Sequence, residues 1–193
     1  YEGKVNYQDV FGQVRMWDTI IFNYLKEKKI VCPAVVENEK SSGYEGAYVK
    51  DPIVGFHDWI CSFDLNSLYP HLIMQYNISP ETMVNHSPNT CSVEKFLSQE
   101  ADLSELKDCT ITPNGAMFDT EKRGFLPELM DKLYQERVIY KKKMIKAKAM
   151  YQETGDKRLL NDIAANHNIQ LARKIALNSA YGAIGNQYFR YFD

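Results

Sequence analysis

The sequence predicts an α+β protein in which helices pack on a small antiparallel sheet and a separate two-helix hairpin follows. Short strand-like segments bounded by turn residues occupy the middle of the 193-residue chain, and segments with helical apolar spacing precede and follow them. The composition, 45% hydrophobic and 25% charged, is that of a globular protein and excludes a disordered chain. No apolar run approaches the roughly 18 residues that a membrane span needs, so we expect a soluble protein.

The first predicted helix covers residues 10–30, and Asp18 is a candidate cap for its main stretch. Apolar residues recur in it at helical spacing: Trp17, Ile20, Ile21, Tyr24 and Leu25. Pro33 interrupts the chain after this helix, and the polar residues 37–43 indicate a linker and a domain boundary.

Strand-like segments follow the linker. Residues 46–49 form one of them, and the nearly continuous apolar run 59–63 is typical of a buried strand. That run leads directly into Asp64. Helical spacing over residues 65–77 predicts a helix that begins where the strand ends, and Pro80 stops it.

The next part is polar and mixed, so we expect a peripheral excursion with one short helix over residues 85–108. Residues 112–118 contain a strong turn signal between two strand-like flanks. The pattern therefore predicts a β-hairpin before the chain becomes helical.

Two long helices come last. The first begins near Leu126, a turn follows at residues 154–156, and the second covers about residues 157–181 and is closed by Gly182. Because the connection is short, the two helices form an antiparallel hairpin. Residues 188–193 are expected to be a strand.

Charge is distributed unevenly along the chain. The net charge is +1 over residues 1–36, −9 over residues 37–122 and +6 over residues 123–193. An acidic half followed by a basic half suggests separate roles, such as holding cations and holding phosphates. A chance partition of surface charge is the alternative.

The chain begins with Tyr1 and without a signal segment, and its last residues suggest an interrupted strand, so we expect an intracellular fragment. The cysteines are widely spaced and form no C-x-x-C pair, which favours reduced thiols over a disulfide framework or a zinc site. They are Cys32, Cys61, Cys91 and Cys109.

Asp64 is the first candidate for chemistry, because it lies where a predicted buried strand gives way to a turn and a helix. A carboxylate at that place, followed by free backbone N–H groups, can hold a hard cation and a phosphate together. The more common role of such an aspartate is to cap the helix.

The two long helices supply candidate phosphate ligands. Arg137 and Lys141 are one helical turn apart, and Lys174, Asn178 and Tyr181 lie on one face of the second helix. If these faces meet across the hairpin, they form a cationic, partly aromatic pocket suited to a nucleoside triphosphate. The alternatives are a solvated charged face on the first helix and an ordinary polar face on the second, with Tyr181 in the core.

Taken together, these motifs resemble those of the family B DNA polymerases, and within that family most closely those of the replicative enzymes of T-even-like phages. The resemblance covers nearly the whole chain and rests on motifs in the right order. They are Trp17-Asp18-x-Ile20-Ile21-Phe22, Tyr44-x-Gly46-Ala47, Asp64-x-x-Ser67-Leu68-Tyr69-Pro70, Asn77 to Thr82, Pro113-Asn114-Gly115, Arg123 to Pro127, the pair Arg137 and Lys141, and Lys174-x-x-x-Asn178-Ser179-x-Tyr181-Gly182.

The resemblance implies roles for the loop around Asp64. Asp64 would bind two catalytic Mg²⁺ ions together with a second carboxylate, and the carbonyl of Leu65 would help to bind one of them. Ser67 and Leu68 would offer backbone N–H groups to the incoming triphosphate. Tyr69 would stack under the deoxyribose and exclude a 2′-hydroxyl.

It also implies roles for the helical hairpin. Arg137, Lys141 and Lys174 would grip the triphosphate of the incoming deoxynucleotide with help from Asn178, and Tyr181 would shape the pocket of the nascent base pair. Tyr44, Gly46 and Gly182 would contact primer–template DNA: Tyr44 and Gly46 in the linker motif that follows the template strand, and Gly182 beside the nascent base pair.

By this resemblance, residues 1–33 end an exonuclease domain, 34–122 begin the palm, 123–186 form the fingers and 187–193 re-enter the palm. The implied function is templated extension of a DNA primer during phage replication, in the cytoplasm of an infected bacterial host. A sliding clamp and replisome proteins are the expected partners, with no membrane association.

Some features depart from the family pattern. His71 follows Pro70 where a small polar residue is usual, and we expect it to be a packed helix residue. The family's second metal-binding carboxylate lies in a later Asp-x-Asp motif that this chain lacks, so the chain alone is predicted to be inactive. The alternatives are a non-catalytic nucleic-acid-binding relative and a protein-primed enzyme of the same family.

Overall fold

The computed structural model describes residues 4–35, 49–86, 91–101, 103 and 107–192. Its helices are α1 (Gln13–Glu27), α2 (Leu68–Tyr76), α3 (Val93–Leu97), α4 (Phe125–Thr154) and α5 (Leu159–Ile184). Its strands are β1 (Met83–His86), β2 (Cys109–Ile111) and β3 (Ala116–Asp119), and short 3₁₀ turns cover Asp9–Phe11 and Pro80–Thr82. The predicted α+β class is confirmed.

The three strands form an antiparallel sheet in the order β1-β3-β2. Thr110 lies opposite Phe118 in the β2–β3 pair, and Met83 lies opposite Phe118 in the β1–β3 pair. The β2–β3 connection contains Gly115 at a φ of +88°, a left-handed conformation that glycine adopts without strain. This is the hairpin predicted from residues 112–118.

The hairpin of α4 and α5 is packed against α1 and α2 around one apolar core. Gly155 ends α4 in the left-handed conformation, and its N–H donates to the carbonyl of Tyr151. The core contains apolar side chains from the four helices and from the segment after α5: Trp17, Ile21, Leu25, Ile73, Leu126, Leu129, Met130, Leu177, Ala180, Ala183, Phe189 and Tyr191.

A buried polar junction joins α2 to the start of α4. The Asn77 side chain accepts from the Gly124 N–H at 2.9 Å and donates to the carbonyls of Asp119 and Lys122. The Glu81 carboxylate accepts from the Phe125 N–H at 2.6 Å. These contacts satisfy N–H groups at the helix start that have no partner within the helix.

Two predictions for the N-terminal half differ from the structure. Residues 59–63 form no strand and are exposed. A strand needs a neighbour for its N–H and C=O groups, and the described strands pair with one another instead. Asp18 does not cap α1 but lies inside it and forms an ion pair with Arg190 at 2.7 Å. The predicted strand at 46–49 falls mostly outside the described residues.

Two predictions for the C-terminal end also differ. Residues 188–192 form turns rather than a strand, because Phe189 and Tyr191 bury their rings in the helical core and Arg190 is tied to α1. Gly182 does not close α5. The helix continues to Ile184 because Ala183 packs in the core, and Gly185 caps it.

Candidate nucleotide site

A cavity of about 440 Å³ lies between the start of α2 and one face of the α4–α5 hairpin. One wall is the stretch from Asp64 to Tyr69, which forms the loop before α2 and its first turn. The other wall consists of four side chains from the hairpin: Arg137, Lys174, Asn178 and Tyr181. The cavity therefore joins residues that are more than 60 positions apart in the sequence.

Ser67 directs the loop into α2. It is the residue before the helix and has a left-handed conformation, with φ of 53° and ψ of 50°. Its carbonyl accepts the His71 N–H at 3.1 Å, which closes the first helical turn, and its hydroxyl accepts from Arg137 Nη1 at 2.8 Å. Asp64 lies three residues earlier and is exposed, so the capping role considered for it is not seen.

Three of the hairpin's four predicted triphosphate ligands line the cavity: Arg137, Lys174 and Asn178. Lys174, Asn178 and Tyr181 follow at i, i+4 and i+7 along α5, so they project from one face. Arg137 comes from the facing helix. Its Nε is buried and has no hydrogen-bond partner among the described residues. Two cations thus converge on a cavity whose opposite wall carries the Asp64 carboxylate.

The two cavity tyrosines stack on each other. The ring centroids of Tyr69 and Tyr181 are 4.2 Å apart with an interplanar angle of 11°. Tyr181 is thus partly exposed at the cavity rather than part of the core. His71 packs its ring edge-on against Tyr134 at 4.6 Å, the packed helix position predicted for it.

The structure separates some predicted residues from this group. Lys141 is exposed on α4 and does not line the cavity, and Gly182 lies within α5 outside the lining. Tyr44 and Gly46 lie outside the described residues. In contrast, Asn66 lines the cavity although sequence reasoning did not select it. Its position between Leu65 and Ser67 is the signal that could have found it.

Only a partial fit to a divalent cation is seen. Asp64 is the carboxylate of the cavity, and no group of three or more His, Cys, Asp or Glu side chains able to hold a metal occurs among the described residues. Mg²⁺ in proteins is commonly held by one or two carboxylates together with substrate phosphates. The Asp64 carboxylate could hold one ion that arrives with a triphosphate. It does not supply enough carboxylate ligands for a centre of two ions.

Within the part of the chain that the structure describes, no helix combines the length and apolar character needed to cross a membrane.

Comparison with known proteins gives a match over nearly the whole chain to the family model described as DNA polymerase family B, covering residues 10–192. The chain is 31% identical to the DNA-directed DNA polymerase of Escherichia phage RB69 and 32% identical to that of Enterobacteria phage T4. Both alignments cover 100% of this chain and 26% of the relative, so the chain spans about a quarter of the length of these relatives.

A eukaryotic relative and a solved structure are also DNA polymerases. The DNA polymerase delta catalytic subunit of Candida albicans is 32% identical over 171 residues, which cover 86% of this chain and 14% of that protein. The family B DNA polymerase from the archaeon Pyrobaculum calidifontis has a TM-score of 0.59 and 24% identity over 94% of this chain and 21% of that one. At this identity, the structural likeness supports the fold alone.

Proposed function

Because the chain belongs to the family B of DNA polymerases, we propose that it forms the part of a DNA-directed DNA polymerase that binds the incoming deoxynucleoside triphosphate. The observation that carries the proposal is that Asp64, Arg137 and Lys174 line the same cavity. The family resemblance inferred from the motifs is confirmed by the family match and by the two phage relatives.

The cationic wall of the cavity suits the triphosphate. Phosphoryl transfer depends mainly on positioning and on neutralising charge, and both are supplied by fixed cations in a partly enclosed site. In our proposal Arg137 and Lys174 bind the triphosphate, and Asn178 donates a further hydrogen bond. The backbone N–H groups of Ser67 and Leu68 bind it from the opposite wall, since the first N–H groups of a helix lack partners within the helix.

The aromatic wall suits the sugar and the base. In our proposal Tyr69 lies under the deoxyribose and excludes a 2′-hydroxyl, and Tyr181 borders the nascent base pair. The two rings stack with their centroids 4.2 Å apart, which supports a fixed position for both side chains at this side of the cavity. Lys141, one turn beyond Arg137 on α4, would reach the outer end of the triphosphate.

We propose Mg²⁺ as the cation, held by Asp64 and the carbonyl of Leu65. A divalent ion there supplies charge neutralisation to the phosphate oxygens. A centre of two ions needs a further carboxylate besides Asp64, so the 193-residue chain is expected to be inactive alone. Contacts of Tyr44, Gly46 and Gly182 with primer–template DNA belong to the same proposal.

The phage relatives support a role in DNA replication within an infected bacterial cell. A sliding clamp and replisome proteins stay predicted partners of the full-length protein. The domain assignment also stays a proposal: residues 1–33 end an exonuclease domain, 34–122 and 187–193 belong to the palm, and 123–186 are the fingers.

Primer extension by the full-length protein that carries this chain tests the proposal. Asp64→Ala should remove most extension and leave DNA binding in a gel-shift assay largely intact, because the carboxylate binds the cation rather than the DNA. Asp58→Ala, at an exposed carboxylate outside the cavity, is the matched control and should extend primers normally. Equal losses of DNA binding and extension in Asp64→Ala would assign Asp64 a structural role.

Sugar selection gives a second test. Tyr69→Ala should admit ribonucleotides, because the ring that excludes the 2′-hydroxyl is removed. The ratio of ribonucleotide to deoxynucleotide incorporation measures this directly. An unchanged ratio would remove Tyr69 from the role of sugar gate.

The single carboxylate of the cavity favours one other candidate, a non-catalytic relative that binds nucleic acid through the exposed lysines of α4. Such a protein would bind DNA with strong salt dependence and without response to Mg²⁺ or nucleotide. Template-dependent extension by the full-length protein would exclude it.

A further inference from the structure

An ion pair joins the two helices of the hairpin beside the candidate nucleotide cavity. Arg173 Nε on α5 donates to Glu136 Oε2 on α4 at 3.2 Å. Arg173 is 9% exposed, and its burial lowers the pKa of the guanidinium from its ordinary value. The guanidinium also lies 5.7 Å from the centre of the Tyr140 ring.

The ion pair lies next to the two cations of the cavity along both helices. Glu136 directly precedes Arg137 on α4, and Arg173 directly precedes Lys174 on α5. Consecutive residues on a helix diverge by about 100°, so one pair can face away from the cavity while the next residues face into it. Glu136 and Arg173 line a separate groove between α1 and the hairpin, whereas Arg137 and Lys174 line the nucleotide cavity.

This arrangement has an electrostatic consequence. Arg137 and Lys174 carry like charges that converge on one cavity and repel each other when no anion is bound. An attractive contact one residue away on each helix opposes that repulsion. It acts in a partly buried position, where solvent screens it less than it screens an exposed pair.

We propose that Glu136 and Arg173 are positioning residues, which hold α4 and α5 at the spacing that lets Arg137 and Lys174 bind one triphosphate together. The inference rests on the proposed function of that cavity. Neither residue touches the nucleotide. Their role is to keep the two cations in place before the anion arrives, so that less of the binding free energy is spent on ordering them.

Glu136→Gln separates positioning from simple electrostatics. Loss of a negative charge near an anion site should tighten anion binding if only the overall field matters. A positioning role predicts the opposite sign, because the bond to Arg173 is weakened and the two cations separate. We expect affinity for inorganic tripolyphosphate, measured by titration calorimetry on the 193-residue chain, to fall about tenfold, within the range of couplings between residues in one network.

Two further variants control for the loss of charge and for the loss of the Arg173 side chain. Glu153→Gln removes the same charge from an exposed position near the end of α4 and should bind tripolyphosphate as tightly as the unmodified chain or slightly more tightly. Arg173→Lys keeps a cation opposite Glu136 and should recover part of the affinity that Arg173→Gln loses. Circular dichroism of each variant checks that the helices are retained. If Arg173→Gln does not fold, Glu136→Gln decides alone.

A double variant tests whether the pair acts through the cavity. In a chain that already carries Lys174→Ala, adding Glu136→Gln should change tripolyphosphate affinity less than twofold, since one of the two positioned cations is gone. An additive, tenfold further loss would overturn the inference, as would unchanged or tighter binding by Glu136→Gln alone. Absence of binding by the unmodified chain would instead refute the proposed function, so the two failures are distinguishable.

Discussion

The two tryptophans of the chain show how differently its two main regions are built. Trp17, on α1, is 1% exposed, and its indole N–H lies 3.0 Å from Ser179 Oγ and 3.2 Å from the carbonyl of Ala176 on α5. Trp59, in residues 49–65, which form no helix or strand, is 100% exposed. The helical region buries many of its apolar residues within this chain, whereas the segment 49–65 leaves equally apolar residues uncovered.

The same difference runs through the candidate site. Arg137 and Lys174 project from long helices that pack against each other and against α1. Asp64 lies at the end of the segment 49–65, and its side chain is exposed. The wall proposed to bind phosphate is therefore held by the core of this chain, while the carboxylate wall depends on Ser67 and its hydrogen bond from Arg137.

Replacing each tryptophan by alanine should affect stability very differently. Trp17→Ala should lower the free energy of unfolding by about 3–5 kcal/mol, because it empties a large buried site and removes two hydrogen bonds. Trp59→Ala should change it by less than about 0.5 kcal/mol, as for most exposed positions. Urea unfolding followed by circular dichroism measures both. Similar losses for the two variants would mean that the segment 49–65 packs against the rest of the protein in solution.

The next effect concerns the junction between α2 and the hairpin. A Cβ added at Gly124 would lie 2.5 Å from Cβ of Ser79, so Gly124→Ala should cost about 1–3 kcal/mol through overpacking. Gly12→Ala is the control, since a Cβ there meets its nearest atoms at 3.7 and 3.8 Å. The difference in urea midpoint between the two variants is the measurement. Equal urea midpoints for the two variants would show that the residues around Gly124 can move apart to accept a methyl group without strain.

The smallest effect is a pH dependence of the contact between α1 and α4. The hydrogen bond from Lys28 lowers the pKa of Glu128 below its ordinary value, so the folded state binds fewer protons than the unfolded state near that pH. The stabilisation is present above the unfolded value of about 4.3 and is lost as the pH falls through the folded value. Because both side chains are partly exposed, about 0.5 kcal/mol is expected.

Unfolding experiments at pH 7 and pH 3 with Glu128→Gln check this expectation. The variant should be slightly less stable than the unmodified chain at pH 7 and equal to it at pH 3. Glu121→Gln, at an exposed glutamate, should show no such difference. A destabilisation by Glu128→Gln that persists at pH 3 would contradict the assigned cause.

Local patterns explain why the helices were predictable and the run 59–63 was not. Helices satisfy their own backbone hydrogen bonds, so the spacing of Trp17, Ile21 and Leu25 was enough to place α1. A strand depends on a neighbour that may lie anywhere in the sequence, and apolar character alone does not supply one. The last three residues of α5 were missed for a related reason, because a glycine such as Gly182 ends a helix only where packing does not continue it.

The site shows the same limit. The i, i+4, i+7 spacing on α5 brought Lys174, Asn178 and Tyr181 to one face without any tertiary information. The contact of Arg137 with Ser67 and the stack of Tyr69 on Tyr181 join distant parts of the chain, and no local pattern contains them. The ion pair of Glu136 with Arg173 is likewise a contact between distant parts of the chain that no local pattern contains.

Titration of the ¹⁵N-labelled chain with dATP and Mg²⁺, followed by amide chemical shifts, shows whether nucleotide binds in the cavity between α2 and the hairpin. We expect saturable shifts at Ser67, Leu68 and Tyr69 together with Lys174 and its neighbours on α5. The amides around Ile20, in the groove on the other side of the hairpin, should stay unchanged. Shifts confined to that groove, or none at millimolar nucleotide, would contradict the assignment of the cavity as a nucleotide site.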